Sequence, residues 1–327
     1  MGEGQVSIRR VGEDEGTQRL DRWLRRTCPQ VPQALLQRLL RSGQIRVDGH
    51  RAKADTRLAA GQEVRLPPQL AAGSVLPERP RLDEDMVERL RRAVLFEDEW
   101  VLALNKPPGL AVQGGSGQKQ SIDRLVAGLV PPTAPVPRLV HRLDRDTSGV
   151  LLLAKSAAAA RSLAEAFQGR EARKLYWALA EGVPKRRAGR IDRPLARQGG
   201  EGRQRMAPDA AGQAAETLYA TAAAGRQASL LVLAPLTGRT HQIRAHLAAI
   251  GHPILGDRKY GATKVLAAEE PPLMLHAAEL AVPHPDEGTT LRIAAPAPPA
   301  FLAACRRLGL DTETVHAALA QLEARGA

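Results

Sequence analysis

The chain has 327 residues, of which 43% are hydrophobic; this excludes an intrinsically disordered protein and is enough for two domains with apolar cores. Its 47 Lys and Arg residues outnumber 35 Asp and Glu, so the formal net charge is +12, which favours a polyanionic partner. An arginine-rich composition can also reflect genome composition, so charge alone leaves the partner open.

The N-terminal region, residues 17–66, predicts a small domain of two helices and a hairpin. Apolar side chains recur on one helical face in each of two segments: Leu20, Trp23 and Leu24 in the first, and Leu35, Leu36, Leu39 and Leu40 in the second. Residues 43–49 then predict a strand that ends in an Asp-Gly turn.

Three cations accompany these elements. Arg38 and Arg41 fall on the second helix and Arg46 falls in the segment after it, which brings them to one small surface. From the residues alone, they could bind phosphate groups or could be ordinary solvated arginines.

Three segments do not predict sheet structure. Residues 67–92 are rich in Pro, Arg and acidic residues, and we expect a linker there. Residues 198–205 are glycine-bearing and basic, which predicts a mobile loop. Residues 301–327 predict a C-terminal helical tail, because apolar residues recur at helical spacing between positions 312 and 324.

The middle of the chain alternates short apolar runs with amphipathic segments. The runs predict strands at residues 101–104, 150–154, 175–180 and 229–234, and the amphipathic segments predict helices at residues 156–167 and 240–249. This pattern favours an α+β fold with a largely antiparallel sheet.

Residues 141–149, His-Arg-Leu-Asp-Arg-Asp-Thr-Ser-Gly, carry ionisable side chains between two short apolar runs. Both runs predict strands, so the stretch should form a loop at a sheet edge. A carboxylate there needs a cationic or hydrogen-bonding partner, because an unpaired buried charge costs several kcal/mol. Asp144 is therefore our candidate reactive group. The alternative is a surface ion-pair cluster of little energetic worth.

Other chemistries fit the sequence less well. No acidic or thiol residue stands at metalloenzyme spacing from five histidines, for which we expect structural hydrogen bonds: His141, His241, His246, His252 and His276. Ser148 lacks the Gly-x-Ser-x-Gly elbow of a hydrolase nucleophile, and the glycines of residues 114–117 lack the dinucleotide-binding spacing. We expect neither a cofactor nor a metal.

Membrane and secretion signals are absent from the sequence. No apolar run reaches the roughly 18 residues of a membrane span, and the first ten residues lack the apolar segment of a secretory leader. Cys28 and Cys305 lie far apart without a Cys-x-x-Cys pair, which argues against a disulfide framework and a structural zinc site. We expect a cytoplasmic protein.

Residues 141–149 match the signature H-R-L-D-x-x-T-S-G of the RluA group of pseudouridine synthases at every specified position, and the chain resembles that family over about residues 90–300. Other segments resemble the remaining family motifs in order: residues 104–117, 174–179, 237–247, 251–257 and 273–277. Within the group, residues 114–117 and the Arg145-Asp146 pair are most similar to the RluC branch, which modifies large-subunit ribosomal RNA. The resemblance implies a catalytic domain over residues 93–300.

Residues 17–66 resemble an S-four-type RNA-binding domain, named after a small-subunit ribosomal protein, through residues 47–51 and 58–66. The resemblance implies that Arg38, Arg41 and Arg46 bind RNA. Phosphate contacts supply affinity rather than sequence choice, so another part of the chain would select the base.

The resemblance to the synthases implies a long, curved, mixed and mostly antiparallel sheet with flanking helices around a central cleft. Asp144 would be the catalytic aspartate, Arg244 would pair with it, and Tyr176 would stack on the base and relay a proton. The aspartate could attack the anomeric carbon of the ribose or remove a proton from the neighbouring ribose carbon, and the sequence leaves both routes open.

Three further residues are expected to contact the substrate RNA. Arg142 would fill the gap left when the uridine swings out of its helix. Lys106 and Arg239 belong to the first and third motifs and complete the predicted binding set.

Together these features predict an isomerase that converts uridines to pseudouridine in large-subunit ribosomal RNA, acting as a monomer with no required protein partner. Two alternatives stay open: a non-catalytic ribosome-assembly factor that binds RNA, and a pseudouridine synthase for another structured RNA such as transfer RNA. A hydrolytic nucleosidase is disfavoured, because it would need water-activating groups or a metal.

Overall fold

The structure is a computed structural model that describes residues 6–28, 31, 33–70, 82–114, 120–131, 134–200, 205–261 and 271–326. The chain divides into two units, Met1–Arg81 and Leu82–Ala327.

The first unit packs two helices on a four-stranded antiparallel sheet with the strand order β1-β4-β2-β3. Its elements are β1 (Ser7–Arg10), α1 (Leu20–Thr27), α2 (Gln33–Arg41), β2 (Arg46–Val47), β3 (His50–Arg51) and β4 (Glu63–Leu66). The apolar faces predicted for the two helices form its core, where Trp23, Leu20 and Leu39 are almost completely buried.

The predicted Asp-Gly turn joins β2 to β3. Asp48 has φ 48° and Gly49 has φ 78°, and this pair of positive angles is typical of the tight turn that suits a twisted hairpin. The Asp48 carboxylate also accepts hydrogen bonds from the Glu63 backbone N–H (2.8 Å) and the Gln62 side chain (2.8 Å), which ties the turn to β4.

The second unit is built around one large sheet with helices packed against it. Its strands are β5 (Val94–Glu97), β6 (Val101–Lys106), β7 (Arg138–Leu139), β8 (Ser148–Ala154), β9 (Arg173–Glu181), β10 (Ala188–Asp192), β11 (Leu195–Gln198), β12 (Arg205–Pro208), β13 (Glu216–Ala224), β14 (Ala228–Pro235), β15 (Leu275–Pro283) and β16 (Thr290–Ala294). Its helices are α3 (Glu84–Arg92), α4 (Ile122–Leu125), α5 (Ala157–Gln168), α6 (Gln242–Ala249), α7 (Pro299–Leu308) and α8 (Val315–Glu323).

Among the described residues, the main sheet runs in the order β10-β13-β14-β9-β15-β8-β6-β5, with β7 beside β8 and β16 beside β15. The β8–β15 pair is parallel, whereas the other pairings in the sheet are antiparallel. The α+β class and the mixed, mostly antiparallel sheet are thus confirmed. β11 and β12 form a separate hairpin that borders residues 201–204, part of the predicted mobile loop; those four residues lie outside the described part.

Gly149 sets the close approach of the two parallel strands at the centre of the sheet. It has φ 111°, and a Cβ there would lie 2.1 Å from the Ala277 carbonyl oxygen. Only glycine fits such a position, so this glycine brings the end of the charged loop, residues 140–147, against β15.

Both ends of the segment predicted as a linker are folded. Leu70 is buried in the core of the first unit, and α3 forms over Glu84–Arg92 with Leu90 buried in the second. The Asp83 side chain accepts a hydrogen bond from the Met86 N–H and so caps the start of α3. The linker prediction, which was based on the prolines of this segment, overlooked this capping residue. Residues 71–81 lie outside the described part.

The C-terminal tail packs on the sheet as two helices. Phe301 and Cys305 of α7 and Val315 and Leu322 of α8 are buried in the same apolar cluster as β13 and β14. In the described part of the chain, every helix is too short or too polar to cross a membrane.

Candidate active site

A cavity of about 890 Å³ opens beside the start of β9. Its walls come from the loop before β8, from the α5–β9 connection, from the segment between β14 and α6, and from the end of α8. The volume lies in the range of small-molecule and nucleotide sites. Asp144, Tyr176 and Arg244, the three residues predicted to be catalytic, all line it.

Asp144 lies in the charged loop with 20% of its side chain exposed. Its Oδ2 atom is 3.4 Å from Nη1 of Arg244 and 3.8 Å from Nε2 of His241. A carboxylate that lies beside a guanidinium and also lines a cavity has a counter-charge and can still reach a ligand. The predicted pairing of Asp144 with Arg244, a hundred residues apart, is present in the structure.

A second carboxylate holds that guanidinium in place. Asp257 is fully buried and binds Arg244 through two bonds, Nε to Oδ2 at 2.7 Å and Nη2 to Oδ1 at 2.8 Å. Its Oδ1 atom also accepts from the backbone N–H groups of Lys259 and Tyr260. Burial acts to lower the pKa of Arg244, but the Asp257 and Asp144 carboxylates outweigh it, so the net pKa shift is upward. Arg244 is therefore a fixed, permanent cation.

Tyr260 and His241 complete the surroundings of the arginine. The Tyr260 ring centroid lies 5.2 Å from the Arg244 guanidinium carbon, and its hydroxyl lies 3.1 Å from Nδ1 of His241. The Met206 N–H of β12 donates to the same hydroxyl at 3.0 Å. Burial lowers the pKa of His241, so its ring is neutral near pH 7. His241 also has φ 53°, a left-handed conformation that turns the chain into α6.

Tyr176 lies on β9 in the wall of the same cavity. Burial, and then the negative charge of Asp144, raise its pKa, so the phenol keeps its proton at neutral pH. A neutral phenol can donate a hydrogen bond and exchange a proton with a bound base.

Lys106 was predicted to contact RNA, but the structure corrects this prediction, because the residue is completely buried. Its Nζ atom donates to the carbonyl oxygens of Pro107 (2.8 Å), Leu110 (2.9 Å) and Arg145 (2.8 Å). Burial lowers its pKa to about 7, and Asp146 and Asp144 act in the opposite direction. With its three N–H groups used internally, Lys106 cannot reach RNA and instead fastens the loop next to Asp144.

The other predicted binding residues are accessible. Arg142 is exposed and Arg239 is half-buried, and both line the cavity. The Arg239 Nε atom donates to the Ala214 carbonyl at 3.0 Å. Arg38, Arg41 and Arg46 are exposed on the first unit.

The histidines predicted to be structural have hydrogen-bond partners. His276 bridges the Ser148 hydroxyl and the Ala295 carbonyl, each at 3.0 Å, so that hydroxyl is engaged in the parallel strand pair. His141 accepts from the Leu152 N–H at 2.8 Å. His246 hydrogen-bonds the Thr217 hydroxyl and the Arg193 carbonyl, and His252 hydrogen-bonds the Glu181 carbonyl. Within the described residues no cluster of His, Cys, Asp or Glu has the arrangement of a metal site.

Sequence reasoning missed the roles of Asp257 and Tyr260. Asp257 is the last residue of the segment 251–257, which resembles a motif of the family, and it directly follows a turn in which Gly256 has φ 77°. The sequence does contain a signal for this role: an acidic residue closely follows an apolar Ile-Leu pair, which indicates a buried carboxylate. A buried carboxylate requires a cation as its partner. The sequence could not say which of the many arginines was that cation.

Comparisons with known proteins agree with this geometry. A sequence model of the family described as RNA pseudouridylate synthase matches residues 100–249, and one described as S4 domain matches residues 18–64.

Relatives extend the match over most of the chain. The chain is 39% identical over 303 residues to the ribosomal large subunit pseudouridine synthase C of Escherichia coli K12, covering 89% of this chain and 93% of that one. It is 37% identical over 299 residues to the protein of the same name from Vibrio parahaemolyticus, with the same two coverages. Among solved structures, human RNA pseudouridylate synthase domain containing 4 superposes with a TM-score of 0.60 at 30% identity, covering 70% of this chain and 97% of that one.

Proposed function

The chain belongs to the RNA pseudouridylate synthase family, and from that premise we propose that it converts uridine to pseudouridine in large-subunit ribosomal RNA. The observation that carries the proposal is the chain of contacts from Asp144 through Arg244 to Asp257 at an open cavity. It provides one ionised carboxylate with a fixed counter-charge and room for a nucleotide.

The reaction breaks the bond between C1′ of the ribose and N1 of uracil, and forms a new bond between C1′ and C5. The proton on C5 leaves and N1 ends with a proton, so substrate and product are isomers. No electron donor or group donor is needed. In our proposal, Asp144 either attacks C1′ or removes the proton from C2′, and in both routes it must start as a carboxylate.

Arg244 places a positive charge 3.4 Å from the Asp144 carboxylate and orients it. Because Asp257 occupies two of its nitrogens, the guanidinium cannot turn away from Asp144 when substrate enters. Such a preorganised partner lowers the reorganisation that the reaction requires.

Tyr176 has a chemistry suited to the flipped base. Its ring can stack on uracil, and its hydroxyl can relay the C5 proton: the oxygen takes that proton as the O–H proton passes to water, and N1 takes a proton from water. Arg142, exposed at the mouth of the cavity, would occupy the space that the everted uridine leaves.

The choice of large-subunit ribosomal RNA rests on the relatives, which carry that substrate in their names. The S4 domain is a second support, because Arg38, Arg41 and Arg46 of this domain are exposed and can bind phosphates. We further propose that the protein acts in the cytoplasm, a location that the ribosomal large subunit named for the relatives supports, and that it acts as a monomer.

The test is to incubate the purified protein with unmodified large-subunit ribosomal RNA and to map pseudouridine by carbodiimide-dependent primer-extension stops. We expect stops at a small number of uridines, none with the Asp144→Asn protein, and none on transfer RNA in a parallel reaction. Binding of the ribosomal RNA without any stop would favour an assembly factor and would overturn the proposed enzyme.

A further inference from the structure

Three cationic side chains line the cavity without a role in the chemistry above. Arg170 lies on the connection between α5 and β9, and Arg173 and Lys174 are the first two residues of β9; we call the three the α5–β9 basic patch. Within the described part of the chain, no carboxylate lies within ion-pair distance of any of them, in contrast to Arg292 on the same cavity, which binds Glu279 at 2.7 Å.

The backbone at Arg170 is in an unfavourable conformation. After α5 ends at Gln168, the chain turns through Arg170 with φ 65°, while its neighbour Gly169 has φ −72°. Left-handed angles crowd the Cβ of any residue except glycine. The end of α7 shows the ordinary solution, since Gly309 takes the left-handed position there with φ 63°. Strained residues of this kind cluster at active sites and ligand-binding sites.

Lys174 is partly buried beside the reacting centre. It lies two positions before Tyr176 on β9, and side chains two apart on a strand point to the same face. Burial lowers the pKa of Lys174. An anion bound next to it would offset that burial and favour the charged ammonium.

The strand pairing leaves room for a ligand at this point. β14 pairs with β9 only from Tyr176 onward, whereas Arg173, Lys174 and Leu175 pair with β15 alone. The cavity lies along this part of β9 and continues to Asp144.

We propose that Arg170, Arg173 and Lys174 bind backbone phosphates of the RNA strand next to the uridine that enters the cavity. This inference rests on the proposed function for its ligand. Charge complementarity identifies the partner, because unpaired cations on one wall of a nucleotide-sized cavity match the spaced phosphates of a single strand.

The test uses the full-length protein and an unmodified large-subunit ribosomal RNA transcript. All binding variants carry Asp144→Asn, so that the RNA is not altered during the measurement. Arg170→Gly should lower the affinity about threefold, and the slope of log K against log salt should become shallower by about 0.7. The triple variant Arg170→Gly/Arg173→Gln/Lys174→Gln should lose about 2 units of slope.

Controls separate charge from folding. Arg170→Gly should have the same or a higher unfolding temperature, because it removes backbone strain, and Arg170→Lys should retain most of the RNA affinity. Arg170→Asn provides a second neutral residue that tolerates the left-handed angle. Arg161→Gln removes an exposed charge from α5 away from the cavity and should bind like the parent protein.

In the active protein, the triple variant should raise KM at a nearly unchanged kcat. If the wild type forms pseudouridine and the triple variant has the parent's affinity, salt slope and KM, the phosphate-binding patch is wrong. If the wild type forms no pseudouridine but the variants still lose RNA affinity, the proposed function fails and the patch stands as an RNA-binding surface.

Discussion

Charge is used in opposite ways in the two units of this protein. In the first unit, Arg38, Arg41 and Arg46 are exposed, and the Arg46 contacts are two long bonds of 3.3 Å to backbone carbonyls. At the cavity of the second unit, the side chains of Arg244 and Asp257 are 9% and 0% exposed and meet in two short bonds.

The difference indicates a division of labour. Exposed arginines keep their mobility and exchange water and counterions for phosphate, which supplies affinity that falls with salt. Buried, doubly bonded charges are held in one geometry and are little screened by salt, which suits chemistry at a defined atom. Changes in the buried Arg244–Asp257 contact should therefore alter turnover, and changes in the exposed arginines should alter binding.

The largest effect is expected for Asp144→Asn, which removes the reactive oxygen and keeps the shape of the side chain. We expect kcat to fall about 10⁴-fold or to background, with the RNA dissociation constant within about threefold of the wild type. Single-turnover assays and equilibrium binding would measure the two quantities. Appreciable turnover by this variant would remove Asp144 from the mechanism.

The second-largest effect is expected for Asp257→Asn, because this change leaves the buried Arg244 without its main counter-charge and free to change orientation. We expect kcat to fall about 10²-fold and the free energy of unfolding to fall by about 3 kcal/mol. KM for the RNA should change little, since Asp257 is fully buried. A change in KM alone would contradict its role in positioning Arg244.

In the first unit, the triple change of Arg38, Arg41 and Arg46 to Gln should weaken RNA binding about tenfold or more and reduce the salt slope by about 2. Turnover at saturating RNA should be unchanged. Changing Arg161, Arg306 and Arg307 to Gln alters the net charge equally at exposed sites of the second unit and serves as the control. Equal losses in both proteins would mean that only net charge matters.

Lys106→Met tests the corrected role of that lysine. Three carbonyl oxygens would lose their buried donor, so we expect the free energy of unfolding to fall by about 3 kcal/mol, measured by urea denaturation. The salt slope of RNA binding should stay the same, because Lys106 is enclosed. A lowered salt slope with normal stability would restore the predicted RNA contact.

The smallest effect concerns pH. Burial, and then the positive charge of Lys174, lower the pKa of His141 to about 3. Between pH 6.5 and 3, His141 therefore binds a proton in the unfolded chain but not in the native protein. Stability should therefore fall as the pH drops below 6.5. His141→Gln lacks this group, so its loss of stability should be smaller by at most about 1.4 kcal/mol per pH unit. Parallel pH curves for the two proteins would argue against a buried neutral His141.

Local pattern was a good guide to elements. The apolar runs predicted β6, β8, β9 and β14 to within a few residues, because a strand buried on both faces is marked by a continuous hydrophobic stretch. The apolar run that precedes residues 141–149 was a poorer guide, since only Arg138–Leu139 pair with β8. There the His141 ring takes the Leu152 N–H that a longer strand would have used.

Lys106 shows the limit of motif reading. A lysine in a basic RNA-binding chain is expected at the surface, and its burial could not be read from its neighbours in sequence. Its three acceptors include the carbonyl of Arg145, far along the chain, which only the β6–β8 pairing brings near.

By itself, the sequence determined the two-part organisation, the class of fold, and the loop that carries Asp144, because hydrophobic periodicity, turn residues and motif spacing are local properties. The tertiary structure alone decided that Asp257 binds Arg244 and which charges face solvent. Those outcomes depend on contacts between segments that are far apart in the sequence, such as the contact between α6 and the loop before β8. Burial then sets the free-energy cost of leaving a charge unpaired.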